Sequence, residues 1–162
     1  MNKTVLLQLI ITQLTHDLAV QFNAALAAHE ASTHEENIPD NKYETLALEA
    51  SYVAQGQANR AQEIRRALET YKKLTLEHHD DNRVIGLTAL VTLTGDDATT
   101  RTLFIGPLEG GMKVVDPITG TEIVVITPAS PLGRELIGKT SGDQVRIGVG
   151  SGAKEFDIAR VC

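Results

Sequence analysis

The sequence predicts an α+β protein, in which an antiparallel helical coiled-coil hairpin is followed by an antiparallel β-sheet domain with one short helix. Three observations support this fold class. Apolar residues recur with a helical period over residues 1–76, a polar stretch containing Pro39 interrupts that pattern at 34–43, and a two-residue period begins after residue 84. We therefore divide the chain into a hairpin at 1–76, a linker at 77–83 and a sheet domain at 84–162.

The first helix is expected to run from Asn2 to about Ala31, with Asn2 capping its first turn. A helix of about 30 residues is roughly 45 Å long. Its apolar positions recur in steps of three and four, which is typical of a helix packed against one neighbour. They are Leu7, Ile11, Leu14, Leu18, Phe22 and Ala25.

The second helix is expected to begin at Asp40 or Asn41 and to end near Leu76. A short connection between two helices of matched length makes them antiparallel neighbours. The apolar positions of this helix are Tyr43, Leu46, Ala50, Val53, Ala61, Ile64, Leu68, Tyr71 and Leu74. Its basic residues are Arg60, Arg65, Arg66, Lys72 and Lys73, and they indicate either a solvated face or a contact with phosphate.

The connection between the two helices is acidic. The stretch HEENIPDNKY, residues 34–43, contains the carboxylates of Glu35, Glu36 and Asp40. Pro39 prevents one continuous helix, because it lacks an amide donor and clashes with the preceding turn. We therefore expect acidic side chains at the tip of the hairpin. Asn37 and Asp40 also have the spacing of an N-cap and a third helical residue, so capping is an alternative role for both.

The linker EHHDDNR contains residue types that bind metals, namely His78, His79, Asp80 and Asp81. Adjacent ligands on one short segment rarely form a defined site without further anchors, so we expect no metal there. His29 and His34 lie five residues apart and are expected to be exposed to solvent.

The second half of the chain has the period of β-strands. Leu87, Ala89, Val91 and Leu93 alternate with other residues, which is the pattern of a strand with one buried face. Further strands are expected near 103–105, 113–115, 122–126, 145–149 and 156–158, separated by turns rich in Gly, Pro and Asp. Hairpin-length spacing predicts that the sheet is antiparallel.

One short helix is expected within the sheet domain, at SPLGRELIGK, residues 130–139. Ser130 is suited to cap it, Pro131 suits the first helical position, and Gly138 ends it. Leu132, Leu136 and Ile137 give the helix one apolar side.

The composition restricts the possible functions. Of 162 residues, 42% are hydrophobic but only 4% are aromatic, and Trp is absent. Neither base stacking nor an aromatic-lined ligand pocket is therefore expected. A formal charge of −6 argues against a protein that binds nucleic acid by itself. The single Cys162 cannot form an internal disulfide and the apolar N-terminal stretch has no small-residue cleavage site, so we expect a soluble cytoplasmic protein without a membrane partner. We also expect a monomer.

The run ITPASPLGRELIGKTSGDQVRI, followed by GAKEFDIARV, resembles the C-terminal domain of the Gre transcript-cleavage factors. In that family a strand precedes an S-P-x-G/A-R-x-L-x-G-K helix, a G-D turn and two final strands. The order of the whole chain also matches, with an N-terminal coiled coil, an acidic tip and an FKBP-like sheet domain. The family's tip pattern is D-L-x-E-N-x-E-Y, and the corresponding stretch here, Asn37 to Tyr43, is one residue shorter. Asp40 and Asn41 match its E-N pair, whereas Asn37 stands at its first acidic position unless Glu36 replaces that acid.

The resemblance implies a transcription elongation factor that enters the secondary channel of bacterial RNA polymerase and stimulates cleavage of backtracked nascent RNA by the polymerase active site. Asp40 and Glu36 would be the catalytic and metal-binding residues, helping to hold a Mg²⁺ shared with the polymerase. Ser130, Pro131 and Arg134 would face the polymerase. The chain would have no activity alone and no cofactor of its own, and it would meet RNA or DNA only within the polymerase complex.

Two other functions stay open. Asn37 at the first acidic position favours a non-cleaving regulator that occupies the same channel. An FKBP-like sheet would suit a peptidyl-prolyl isomerase, but fold alone does not imply function. Isomerase pockets of that type are lined by aromatic residues, and 84–162 contain only Phe104 and Phe156.

Overall fold

The computed structural model describes residues 2–33 and 43–162, with residues 32, 43–47 and 50 described by their backbone alone. It contains the helices α1 (Lys3–Thr33), α2 (Tyr43–Lys72) and α3 (Pro131–Leu136), and a 3₁₀ turn at Gly150–Gly152. Its strands are β1 (Leu90–Gly95), β2 (Thr100–Ile105), β3 (Lys113–Val115), β4 (Glu122–Ile126), β5 (Gln144–Ile147) and β6 (Lys154–Val161). The predicted class, a helical hairpin followed by a sheet with one short helix, is confirmed.

The chain forms two compact units. The hairpin unit is Ile10–Lys72, and the sheet unit combines residues 1–9 with Lys73–Cys162. Within the hairpin unit, a cavity of about 250 Å³ is lined by residues 25–29 of α1 and 51–58 of α2. The two helices therefore lie side by side, and the return of the chain makes them antiparallel. The boundaries expected from the sequence, with a hairpin at 1–76, a linker at 77–83 and a sheet domain at 84–162, stay a prediction.

The buried face of α1 differs in part from the predicted stripe. Leu6, Ile10 and Leu14 are buried and recur every four residues. Of the predicted positions, Leu7 and Leu14 are buried, and Ile11, Leu18 and Ala25 are half-buried. Phe22 is 62% exposed, so its assignment to the packed stripe is wrong. Beyond Leu14 the half-buried face continues through Asp17 and Gln21, so polar residues occupy positions that an apolar pattern cannot identify.

Helix α2 is packed mainly through its second half. Ala61, Ile64, Leu68 and Tyr71 are buried, as predicted, whereas Val53 is 54% exposed. The side chains of Tyr43, Leu46 and Ala50 lie outside the described residues. By length and composition, Lys3–Ala31 in α1 could also cross a membrane, but a packed helix passes the same test.

We predict that Ile64→Val destabilises the hairpin unit by about 1 kcal/mol, because a buried methylene is lost from a site that is 2% exposed. Urea denaturation followed by circular dichroism at 222 nm measures this change. The control Val53→Ala removes atoms that already contact water, and it should stay within about 0.5 kcal/mol of the parent. Equal losses in both variants would contradict the assignment of the buried face.

The six strands form one sheet in the order β3-β4-β2-β1-β6-β5. Strands β1 and β2, β1 and β6, β3 and β4, and β5 and β6 pair antiparallel, but β2 and β4 pair parallel. The sheet is therefore mixed, and the prediction of a purely antiparallel sheet is wrong in this detail. The parallel pair arises because β3 lies at the edge of the sheet and β4 is placed between β3 and β2. The spacing of turns along the sequence does not indicate this placement.

One hydrophobic cluster of the sheet unit lies on one face of this sheet, and the opposite face also carries buried residues, among them Leu90, Phe104, Ile123 and Val125. Alternate residues of β1 and β2 enter this cluster, including Val91, Leu93, Leu103 and Ile105, as the two-residue period predicts. Leu136 of α3 joins the same cluster and so attaches the short helix to the sheet. Leu87, predicted to be on the buried face, is exposed, because the φ of +66° at Thr88 interrupts the alternation of a strand before it reaches Leu87.

Candidate functional site

The acidic tip lies outside the described residues. This applies to Glu36 and Asp40, predicted as catalytic and metal-binding residues, and to the tip residues Asn37 and Asn41. Tyr43 is the first residue of α2, and its side chain is likewise outside the described part. The roles of all five residues therefore stay predictions.

The N-terminus of α3 is built around Ser130, which caps the helix as predicted. Its hydroxyl accepts a hydrogen bond from the amide of Gly133 at 3.1 Å and donates one to the carbonyl of Thr127 at 2.7 Å. Both bonds stay within the segment, so they fix the shape of the loop before α3. Glycine at 133 allows this close approach, because a Cβ there would collide with the carbonyl oxygen of Thr127.

This cap holds two predicted polymerase-contacting residues at the surface. Pro131 occupies the first turn of α3, and both Pro131 and Arg134 are exposed. They are three residues apart, so they lie on one side of the short helix. At the other end of the helix, Gly138 has a φ of +85° and its amide donates to the carbonyl of Ile85 at 2.9 Å. Pro131 and Arg134 are therefore presented on a helix that is fixed at both ends.

The predicted linker forms defined contacts within the sheet unit. His79 is buried, and its Nδ1 lies 3.3 Å from the ammonium nitrogen of Lys3. Lys3 also donates to the carbonyls of Glu77 and Thr88. The hydroxyl of Thr88 accepts from the amide of Glu77 at 2.9 Å, and Thr88 has a φ of +66°, which is rare for a β-branched residue. The start of α1, residues 77–79 and Thr88 thus meet in one polar cluster.

The acidic residues of the same segment have structural partners. Asp81 accepts a hydrogen bond from the amide of Val161 at 2.8 Å, and Asp80 accepts one from the amide of Asn82 at 3.0 Å. Arg83 forms an ion pair with Glu77 at 2.7 Å. Among residues 2–33 and 43–162, no group of three or more His, Cys, Asp or Glu side chains is arranged to hold a metal ion.

Burial is the main cause that lowers the pKa of His79, and the adjacent positive charge of Lys3 acts in the same direction. Burial also lowers the pKa of Lys3. The neutral imidazole can accept a hydrogen bond from the Lys3 ammonium through Nδ1, whereas a protonated ring cannot. No local sequence pattern indicates this arrangement, because Lys3 is 76 residues from His79 along the chain.

We predict that the sheet unit becomes less stable as the pH falls below about 6.5, the ordinary pKa of histidine. The folded state holds His79 neutral, so the unfolded state binds more protons from that pH down to the lowered pKa. The midpoint of urea denaturation between pH 7.5 and 5.5 measures the loss. This pH-dependent loss of stability should be smaller in His79→Asn, because asparagine does not titrate in this range. In the control His78→Asn the loss should equal that of the parent, because His78 is exposed. Identical pH profiles for the parent and His79→Asn would contradict this role.

Comparisons with known proteins were made for the whole chain. No family model and no curated protein matches it. Among solved structures, it is similar to the transcription factor Gfh1, at 21% identity over 95% of this chain and 92% of that one, with a TM-score of 0.39. GreA factor homolog 1 of Thermus thermophilus gives 20% identity, 94% coverage of both chains and a TM-score of 0.39. The elongation factor GreA/GreB from Nitrosomonas europaea gives 16% identity over 60% of this chain and 77% of that one, with a TM-score of 0.37.

Proposed function

We infer that this chain is a Gre-type accessory factor of bacterial RNA polymerase, which acts through the secondary channel in the cytoplasm. The observation that supports this proposal most is the S-P-L-G-R-E-L-I-G-K run, which forms a capped helix attached to the sheet and follows a long helical hairpin in the chain. The Gre pattern requires these elements in this order. The connection between α1 and α2 also contains Glu35, Glu36 and Asp40.

The proposed activity is stimulated cleavage of backtracked nascent RNA by the polymerase active site. Asp40 and Glu36 would supply carboxylates to a Mg²⁺ shared with the polymerase, and carboxylate oxygens are ligands that this hard cation prefers. Such a pair is only part of a hydrolytic site, which also needs a positioned water and further ligands. We therefore expect no cleavage by the isolated chain, and contact with RNA only inside the polymerase complex.

Release of RNA from a stalled, backtracked elongation complex tests this function. The complex is incubated with Mg²⁺, with or without the chain, and the 3′ fragments of the labelled RNA are separated by size. Short 3′ fragments that form faster with the chain support the proposal. Cleavage at the rate of the polymerase alone, at every Mg²⁺ concentration, would contradict it.

A second candidate is a regulator that occupies the channel without promoting cleavage. It is favoured by Asn37, because an amide at the first acidic position carries no charge to hold a second cation. This candidate predicts that the chain competes with a Gre factor for polymerase and reduces the cleavage which that factor stimulates. The same assay, with both proteins present, distinguishes the two functions.

Pro131→Ala is expected to weaken binding to polymerase several-fold while leaving the fold intact, because Pro131 is exposed on a helix fixed by the Ser130 cap and Leu136. Affinity is measured by fluorescence anisotropy with labelled chain. Pro117→Ala, at an exposed proline before β4, is the matched control. If both variants bind as tightly as the parent, Pro131 only starts α3 and does not contact the polymerase.

A further inference from the structure

A groove of about 720 Å³ lies in the sheet unit, over β2 and β4 and beside α3. Its aliphatic floor contains the buried Leu103 and the half-buried Val124 and Ile126, and the half-buried Leu132 of α3 forms one wall. Leu103 and Val124 are partners in the parallel pair of β2 and β4, so their side chains lie next to each other on one face of the sheet. The half-buried side chains pack against the core cluster below and stay accessible above. The groove therefore offers aliphatic surface over the face of the sheet.

One end of the groove carries a positive charge that no carboxylate balances. Arg101 precedes Leu103 by two residues on β2, so its side chain projects from the same face, about 6.6 Å along the strand. Its guanidinium carbon lies 5.0 Å from the ring centre of Phe156, and it forms no ion pair with any described residue. Lys113, by contrast, is paired with Glu122 at 3.1 Å. The charged residues that line the groove therefore leave one positive charge in excess, at Arg101.

The floor of the groove has the spacing of an extended peptide. Val124 and Ile126 are two residues apart on β4, so their side chains project to the same face about 6.6 Å apart. Alternate side chains of an extended segment have the same separation, so two of them fit over these two positions. The floor is half-buried and not enclosed, so the backbone N–H and C=O groups of such a segment keep their contact with water. The aliphatic floor ends where Arg101 and Glu122 begin, which suits a segment that itself ends there with a carboxylate.

We propose that this groove binds the carboxyl terminus of a partner polypeptide, with aliphatic residues at the last position and two positions before it. The last side chain rests over Val124 and Leu103, and the earlier one rests over Ile126 beside Leu132. The terminal carboxylate then reaches Arg101, whose guanidinium can bind both of its oxygens. A single carboxylate matches the single excess positive charge of the groove. This site does not depend on the proposed action in the polymerase channel.

The proposal is tested by fluorescence anisotropy with the full chain and the peptide Gly-Ser-Gly-Leu-Ser-Val, labelled with fluorescein at its N-terminus. The affinity should fall about tenfold or more when the terminal carboxylate is amidated, since a charged hydrogen bond is lost. Binding should also be lost when the leucine and valine are replaced by serine. Absence of binding by the free acid, or equal affinity of the acid and the amide, would overturn the proposal. Displacement of the peptide by an equal concentration of octanoate would overturn it in favour of an acyl chain.

Two pairs of variants separate the contributions of charge and aliphatic contact. Arg101→Gln should weaken binding of the free acid about tenfold or more and leave binding of the amide unchanged, whereas Arg146→Gln, at an exposed arginine on β5 outside the groove, should change neither. Val124→Thr should weaken binding about fourfold, the equivalent of one buried methyl group. Its control is Val115→Thr, at an exposed valine on the same face but outside the groove lining. Circular dichroism checks that each variant folds. Unchanged affinity in folded Arg101→Gln or Val124→Thr would overturn the proposal.

Discussion

Replacing Leu136 with alanine is expected to destabilise the sheet unit by about 2–5 kcal/mol, the usual cost of truncating a fully buried leucine. Leu136 is 0% exposed and belongs to the core cluster with Val145 and Phe156. It is also the last residue of α3 and, together with the half-buried Leu132, it attaches this helix to the core. We therefore expect the variant to hold α3 less firmly on the sheet, so that Pro131 and Arg134 are less well fixed in position. Urea denaturation at pH 7.5 measures the loss of stability.

The neighbouring Ile137→Ala is the matched control. Ile137 is 39% exposed, so alanine removes atoms that are already in contact with water, and the cost should stay below about 1 kcal/mol. The two substitutions remove similar volumes one residue apart. A comparable loss in both variants would contradict the assignment of Leu136, and not Ile137, to the core.

These two residues also show how far the sequence predicts the fold. The apolar pattern placed Leu132, Leu136 and Ile137 on one side of the short helix, but a six-residue helix has too few turns for its period to select one face. In α1, steps of three and four fit two adjacent faces, and only packing shows that Leu14 is buried while Phe22 is exposed. Long strands and helices were predictable because their period is repeated many times.

Features that depend on distant parts of the chain were not predictable. The parallel pairing of β2 with β4 depends on which edge β3 occupies, and no local signal determines that. The contacts of Lys3 with His79 and Thr88 join residues far apart in sequence. By contrast, Ser130 could be predicted as a cap because the capping bond reaches only to Gly133, three residues away.

Asp40→Asn is expected to reduce stimulated RNA cleavage to the level of polymerase alone, while changing the stability of the chain little. Asparagine caps a helix about as well as aspartate, so a capping role would survive the substitution. A Mg²⁺ ligand role would not, because the amide oxygen carries no charge to balance the cation. One substitution therefore separates the two roles that the sequence leaves open for this residue. Cleavage is measured as 3′ fragment release from a backtracked complex, and stability by urea denaturation.

Glu35→Gln is the control for Asp40→Asn, since it removes one negative charge from the same stretch at a position with no predicted ligand role. Glu35→Gln should stimulate cleavage by the polymerase as well as the parent does. If Glu36 replaces the acid missing at Asn37, Glu36→Gln should also lower cleavage, and Asn37→Asp should raise cleavage or reduce the Mg²⁺ concentration it needs. Full activity in Asp40→Asn would leave capping as its only role. Equal loss in Glu35→Gln would instead attribute the effect to the overall charge of the tip, because exposed carboxylates attract cations without binding them at fixed positions.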